Sequence, residues 1–382
     1  MTTTTTTTES EMVKVYEDFE HMKISAKVLR GIFTHGFEKP STIQQKAIVP
    51  ISTGKDIIAQ SQSGTGKTGA FTIGILNNLD EKQGATQAMI LAPTRELAVQ
   101  IYTVIQSIGQ FTSFKIRLCV GGTVAEKMDS CQILIGTPGR ILDMLNHGKV
   151  SLKACKIFTL DEADEMLSKG FKEQIYEIFQ FIPKETQILL FSATMPPEIL
   201  DLTKKFMNDP LNILVKKEDL TLEGIKQYYI QVEREDYKFE TLLDLYKSFE
   251  VTQCVIFCNS KQKVEMIANR LSEAKYSVSA IHSDLTNRRE VMEDFKSGKT
   301  RMLITTDLLS RGIDVQHISL VINYDIPKSK EVYIHRIGRS GRFGRKGIAL
   351  NFVTNLDSTQ LKEIEIHYHT QIDELPCDLK IN

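Results

Sequence analysis

No apolar run in this 382-residue chain approaches the roughly 20 residues that cross a bilayer. The opening stretch, Met1 followed by Thr2 through Thr8, has neither the basic zone nor the apolar zone of a secretory signal. These absences argue against a membrane association and predict a cytoplasmic protein, with the nucleus as the alternative address. Cysteine offers no framework. The six residues (Cys119, Cys131, Cys155, Cys254, Cys258, Cys377) are scattered, and several sit in apolar runs where a thiol acts as a small hydrophobe. Only Cys254 and Cys258 are close; their spacing misses the gap of a zinc knuckle and no second pair completes a site, so a reducing compartment follows. Net charge is also missing: 47 Lys and Arg stand against 48 Asp and Glu, a formal −1. A broadly basic surface is thereby excluded, and any nucleic-acid site has to be local. Neither end shows an Arg-Gly-rich or Lys-rich appendage.

What is present is an ordinary globular mixture, 41% hydrophobic and 25% charged, in a length that suits two domains. Residues 1–18 read as a disordered Thr-rich tail. Short apolar runs then alternate with helical patterns: Asp56–Ala59, Ala88–Ala92, Ile116–Val120, Ile133–Ile135, Ile157–Leu160 and Ile188–Phe191. After a charged connector the alternation starts again, at Cys254–Phe257, Val278–Ile281, Met302–Thr305, Leu320–Asn323 and Ala349–Val353. Such alternation predicts an α/β fold of two tandem domains, each a mostly parallel sheet with helices on both faces. The expected bounds are 19–212 and 225–382, joined by a short linker at 213–224.

Two motifs in the first half carry chemistry. In Ser61-Gln62-Ser63-Gly64-Thr65-Gly66-Lys67-Thr68, the glycines let backbone N–H groups approach phosphates, Lys67 meets their charge and Thr68 offers an oxygen to Mg²⁺. About a hundred residues later, the apolar run ending at Leu160 delivers Asp161-Glu162-Ala163-Asp164 to the end of a buried strand. There Asp161 can hold the metal, and Glu162 is placed to orient or deprotonate a water. Either motif alone is ambiguous, since Lys-Thr after glycines is often a plain helix start and an acidic tetrapeptide a solvated face. Their order and spacing together imply nucleoside triphosphate hydrolysis. The second half has no phosphate loop, but it carries His335-Arg-Ile-Gly-Arg-Ser-Gly-Arg342. In isolation this is an exposed basic loop; opposite a phosphate site, its arginines could neutralise charge on a transferring phosphoryl group.

With these motifs in this order, the chain resembles the DEAD-box ATP-dependent RNA helicases, nearest to their translation initiation factor 4A branch, from about Phe19 to the C-terminus. The resemblance implies two RecA-like domains facing a cleft, with ATP and Mg²⁺ between them and RNA across the rim. Residue by residue, Gly36 to Gln44 matches the adenine-recognising element: Gln44 would read the adenine edge, and Phe37 is either a base-stacking ring or a core aromatic. Lys67, Asp161, Glu162, Arg339 and Arg342 match the catalytic set, the two arginines also touching nucleotide, as does Asp314 through the ribose. Ser192 and Thr194 match the segment that couples hydrolysis to RNA through Asp164. RNA contacts are implied for Pro93, Thr94, Arg95, Gly121, Gly122, Thr137, Pro138, Gly139 and Arg140, which lie just beyond strands and suit phosphate oxygens rather than base edges, and in the second domain for Thr305. His335 and Arg336 match cleft residues, with a satisfied structural histidine the alternative for His335.

Three departures stand out. Ser61 replaces a smaller residue, the segment between Gly122 and Thr137 is short, and Asn287-Arg-Arg-Glu290 replaces a Gln-x-x-Arg pattern, with Ser283 where glycine is usual. Second-domain RNA contacts are therefore not carried over at this segment, and Arg288 or Arg289 is the candidate to replace the lost arginine. The expectation is a monomeric RNA-dependent ATPase that opens short duplexes with little sequence preference and works better with a scaffold protein gripping both domains. An ATP-gated RNA clamp in an mRNA–protein complex is the rival reading. A P-loop enzyme acting on a small molecule is a poorer third, because it leaves the second domain unused.

Overall fold

The computed structural model describes residues 14–61, 65–121, 131–168, 170–214, 225–248, 253–285, 287–307, 318–338 and 347–376. Among them are two seven-stranded sheets with every pair parallel. The first is built from β1 (Ile57–Gln60), β2 (Ala88–Leu91), β3 (Ile116–Cys119), β4 (Ile133–Gly136), β5 (Ile157–Asp161), β6 (Gln187–Ser192) and β7 (Leu211–Leu214). The second is built from β8 (Ile225–Gln231), β9 (Cys254–Phe257), β10 (Val278–Ile281), β11 (Met302–Thr305), β12 (Leu320–Asn323), β13 (Gly347–Val353) and β14 (Asp373–Glu374). The spatial orders are β3-β4-β2-β5-β6-β1-β7 and β10-β11-β9-β12-β13-β8-β14, so adding seven to each index of the first gives the second. The repeat expected from the alternating runs is thus a repeat of topology.

Continuous apolar runs belong in strands buried on both faces, and successive residues here go to opposite sides. In β2, Ala88 and Ile90 join one core cluster while Met89 and Leu91 join the other. In β9, Cys254 and Ile256 face one cluster while Val255 and Phe257 face another. Helices cover both faces. On one of them, a β-carbon added at Gly31 would lie 1.8 Å from the carbonyl oxygen of Ile108, so glycine alone permits that helix to approach.

Three strands lie outside the runs read from sequence. In β7, Asn212 interrupts a four-residue edge strand, and β7 extends through Leu214, two residues into the segment expected to be the linker. The strand β8, Ile-Lys-Gln-Tyr-Tyr-Ile-Gln, is too polar to stand out, and β14 has only two residues. The five cysteines among the described residues are buried and free. No helix among those residues is long and apolar enough to cross a membrane. The tail before Lys14 and the segment 215–224 lie outside the described residues.

Candidate nucleotide and RNA site

The register of the first sheet brings the chemical segments to one edge. Gln60 aligns with Ser192, and Asp161 with Phe191, so the chain leaves β1, β5 and β6 side by side at their C-terminal ends, where open α/β sheets hold ligands. The Ser61 N–H donates to the Ser192 carbonyl at 3.0 Å, and the Ser61 and Thr65 hydroxyls lie 2.5 Å apart. Gly66, at φ 100°, caps the helix Lys67–Asn78, whose N-terminal amides suit an anion. Gln44 packs directly on this helix start. Its Oε1 accepts from the Ser41 N–H at 2.9 Å and its Nε2 donates to the Gly66 carbonyl at 3.2 Å. A primary amide carries a second N–H and a second lone pair, the complement of an adenine edge. A β-carbon at Gly69 would sit 2.6 Å from Gln44 Nε2 and 2.8 Å from the Phe37 ring. Phe37 is half-buried against the first core cluster, edge-on to His35 at 4.7 Å, so the core reading of this ring describes its packing. Gln62, Ser63 and Gly64 lie outside the described residues.

Across from the loop, Asp161 ends β5 and Glu162 turns the chain at φ 54°, a left-handed conformation that disfavours a residue with a β-carbon by about 1–2 kcal/mol. The Glu162 N–H donates to Asp161 Oδ1 at 3.0 Å, and Lys67 Nζ lies 3.4 Å from Glu162 Oε1. All three groups are buried. Burial, and next the charge of Glu162, push the Asp161 carboxyl well above the usual carboxylate range against the pull of Lys67. Two carboxylates sharing one ammonium in a desolvated site suit a hard divalent cation. The donor set of Asp161 and the Thr68 hydroxyl has the oxygen chemistry that Mg²⁺ prefers.

Asp164 follows on the helix Ala163–Ser168. Its N–H donates to Ser192 Oγ at 3.3 Å, and Thr194 Oγ1 donates to Asp164 Oδ2 at 2.6 Å. The same oxygen lies 3.3 Å from Nε2 of His335, a fully buried residue of the second domain on the helix Lys330–Ile337. His335 therefore makes a direct polar contact across the two domains. Ligand atoms of Glu162, Asp164 and His335 all lie within 4.8 Å of one another, so the residues matched to hydrolysis and to coupling are contiguous.

Of the residues matched to RNA, Thr94 caps the helix Arg95–Ile108, accepting from the Leu97 N–H, and Arg95 Nη1 donates to the Gly121 carbonyl at 3.3 Å. Thr137 and Pro138 open the helix ending at Asn146, where Arg140 pairs with Asp143 at 3.1 Å. Gly139 is exposed, whereas Pro93 and Pro138 are buried. Thr305 is buried too, its hydroxyl donating to the Thr306 carbonyl at 3.1 Å, so the side chain faces inward at the end of β11. Gly122, Asp314, Arg339 and Arg342 lie outside the described residues. In the departing segment, Arg288 opens the helix Arg288–Lys296 and its Nη1 reaches Glu96 Oε1 of the first domain at 3.3 Å. Arg288 thus makes a second cross-domain contact. The sequence reading missed Glu96 as its partner, although Glu96 lies inside the matched Pro93–Leu97 stretch. Arg336, also matched to the cleft, is fully buried and hydrogen-bonded within its own domain.

Residues 41–202 match the family model described as DEAD/DEAH box helicase, and residues 237–344 match the helicase conserved C-terminal domain. The protein named ATP-dependent RNA helicase eIF4A in Candida albicans is 55% identical over 97% of this chain and 95% of its own length. Eukaryotic initiation factor 4A of Caenorhabditis elegans is 52% identical over 96% of this chain and 93% of its own length. Among solved structures, S. cerevisiae Dbp5 bound to RNA and ADP BeF3 superposes with a TM-score of 0.90, at 36% identity over 95% of this chain and 96% of that one. A DEAD box protein from Methanococcus jannaschii, at 38% identity and covering 95% of this chain and all of its own, gives 0.56. The repeated sheet order, the buried Lys67–Glu162 pair and these likenesses agree: the chain belongs to the DEAD/DEAH box helicase family.

Proposed function

We propose that this chain is an ATP-dependent RNA helicase whose hydrolysis is stimulated by RNA and drives local unwinding in translation initiation. The observation that carries this reading is the hydrogen-bonded set Thr194–Asp164–His335, which ties Asp164, two residues beyond Glu162, to a buried residue of the other domain. Lys67 and the helix N-terminus behind it hold the phosphates, and Glu162 orients and deprotonates the attacking water. Mg²⁺, held by Asp161 and Thr68, would neutralise phosphate charge when bound. Arg339 and Arg342 meet the transferring phosphoryl group from the second domain. Hydrolysis then requires closure, and RNA stimulates it by favouring the closed arrangement over the open one. Gln44 reads the adenine while bound to the phosphate loop through the Gly66 carbonyl, so base recognition and phosphate grip are mechanically one unit.

Binding along the first-domain edge, at Arg95, Gly121 and the Thr137–Arg140 turn, directs contacts to the sugar–phosphate backbone, which supports weak sequence preference. The chain acts as a cytoplasmic monomer, and a scaffold protein touching both domains raises turnover by favouring closure. Steady-state ATP hydrolysis with and without single-stranded RNA tests the proposal, with single-stranded DNA and Glu162→Gln as controls. RNA-specific stimulation that disappears in the variant supports it, and RNA-independent hydrolysis refutes it.

A further inference from the structure

The second domain contains a run of buried polar side chains that the nucleotide site does not use. Arg336 Nη1 donates to Asn323 Oδ1 at 3.3 Å, and Asn323 Nδ2 donates to Asn351 Oδ1 at 2.8 Å. Asn351 Nδ2 donates to the Tyr333 hydroxyl at 3.3 Å, and that hydroxyl donates to Gln227 Oε1 at 2.8 Å. Gln227 Nε2 ends the run on Thr370 Oγ1 at 2.7 Å. Arg336, Asn323, Asn351 and Tyr333 are all fully buried.

The direction of the run has a cause. A guanidinium only donates, so the Asn323 atom facing it must be the amide oxygen. That choice turns the Asn323 amino group toward Asn351, and the same logic passes through each amide in turn. Donors aligned head to tail strengthen one another in a low-dielectric interior. The run therefore has a polarity set at the cleft and continues across the sheet to the residues following the helix Ser358–Tyr368.

At the cleft end, Arg336 directs four of its five N–H groups to its own domain. Its Nε donates to Asp307 Oδ1 at 2.6 Å, Nη2 to Asn259 Oδ1 at 2.7 Å and Nη1 also to the Asp325 carbonyl at 2.7 Å. Asn259, Asp307 and Asp325 follow β9, β11 and β12, so one guanidinium gathers three strand ends. Its neighbour His335 makes the cross-domain contact with Asp164.

We propose that Arg336 is a positioning residue rather than a phosphate or RNA ligand, and that the buried run from Arg336 to Thr370 fixes its placement and hence that of His335 against Asp164. This rests on the RNA-stimulated ATPase reading above. A displacement of about 1 Å takes a 3.3 Å contact beyond hydrogen-bond distance, and a misplacement of about that size costs catalysis without touching substrate.

The test compares full-length Tyr333→Phe, Thr370→Val and Arg336→Lys with Phe352→Leu, a core substitution outside the run. Melting temperature, kcat at saturating single-stranded RNA and KM for ATP are measured for each. Wild type must first show RNA stimulation; if it does not, the functional reading fails before the positioning claim is judged. The expected result is that Tyr333→Phe lowers kcat about tenfold, or about 1.4 kcal/mol of barrier, with KM for ATP within about twofold. Thr370→Val, at the far end and less prone to unfold, lowers kcat by a smaller factor in the same manner. Arg336→Lys lowers kcat further with the same KM. Phe352→Leu loses melting temperature but keeps kcat. The proposal is overturned if kcat follows melting temperature equally in all four variants, or if Arg336→Lys raises KM for ATP while kcat is kept.

Discussion

Replacing Glu162 by Gln removes one charge and leaves the shape of the site. Glu162 is buried at 4% exposure, with Lys67 Nζ 3.4 Å from its Oε1 and Asp161 adjacent in sequence. The stability effect has two opposing parts. The amide relieves the repulsion that helps push up the Asp161 carboxyl, while Lys67 loses one of its two carboxylate neighbours. Removing one partner of a buried pair typically costs about 3–5 kcal/mol, but Asp161 remains as counter-charge, so the net change in melting temperature should be small. Catalysis has no such compensation. A positioned base contributes about 10² to 10⁴ in rate, which corresponds to about 2.7–5.4 kcal/mol of barrier. Single-turnover ATP hydrolysis at saturating RNA should therefore fall by at least about a hundredfold. Nucleotide binding, followed by titration with a fluorescent ATP analogue, should remain near wild type. Residual hydrolysis within tenfold of wild type would remove Glu162 from the base role, and a parallel loss of nucleotide affinity would make it a binding residue.

Thr194→Ala deletes the 2.6 Å bond to Asp164, a charged acceptor, and should lower RNA-stimulated turnover by about 1.5–3 kcal/mol of coupling while RNA-free ATP binding persists; duplex unwinding assays check it, and unchanged unwinding counts against the coupling role. Gly69→Ala places a methyl 2.6 Å from Gln44 Nε2 and 2.8 Å from Phe37, so KM for ATP should rise by an amount equivalent to about 1–3 kcal/mol. Glu81 accepts from Lys27 and from the Ser113 N–H and hydroxyl, and these partners, Ser113 first, hold its carboxyl down to about 2 from an unperturbed 4.5. A depressed folded-state value means that its contribution is complete above pH 4.5 and fades as pH falls toward 2. The urea midpoint gap between wild type and Glu81→Gln should accordingly shrink between pH 6 and pH 3, and a constant gap would refute the assignment.

Long apolar runs and ordered motifs made most of the sheet and the nucleotide site legible in the sequence. The strands β9, β11 and β12 lie where alternation places them, because each is buried along its whole length and almost entirely apolar. The edge strands β7 and β14 escaped notice for the opposite reason. Short and partly or wholly exposed, they carry Asn212, Asp373 and Glu374 where a central strand would carry apolar side chains. Lys67, Asp161 and Glu162 stand out by residue type at fixed spacing, Asp164 and Thr194 only through the family resemblance, and the structure brings the five together. The role of Arg336 was not legible, since a motif marks a position without saying which way its side chain turns. A signal for the buried run did exist: Asn323 and Asn351 interrupt runs that are otherwise apolar, and an amide in such a place has to find partners inside the protein.

The buried cysteines bear on how domain closure can be observed. Burial lifts the thiol of Cys119 to about 11 and those of Cys155 and Cys254 to about 12, so at neutral pH their reactive thiolate forms are at most about one part in ten thousand. Cys131 and Cys258 are raised as well, also chiefly by burial. Leu356, 92% exposed in the second domain, and Leu200, 47% exposed in the first, offer the contrasting environment. Cysteines introduced there, with Cys377 replaced by Ser, would take maleimide dyes while the five interior thiols stay silent. The native packing of both cores is thereby kept, and the separation of the two domains becomes an optical distance that follows ATP and RNA in real time.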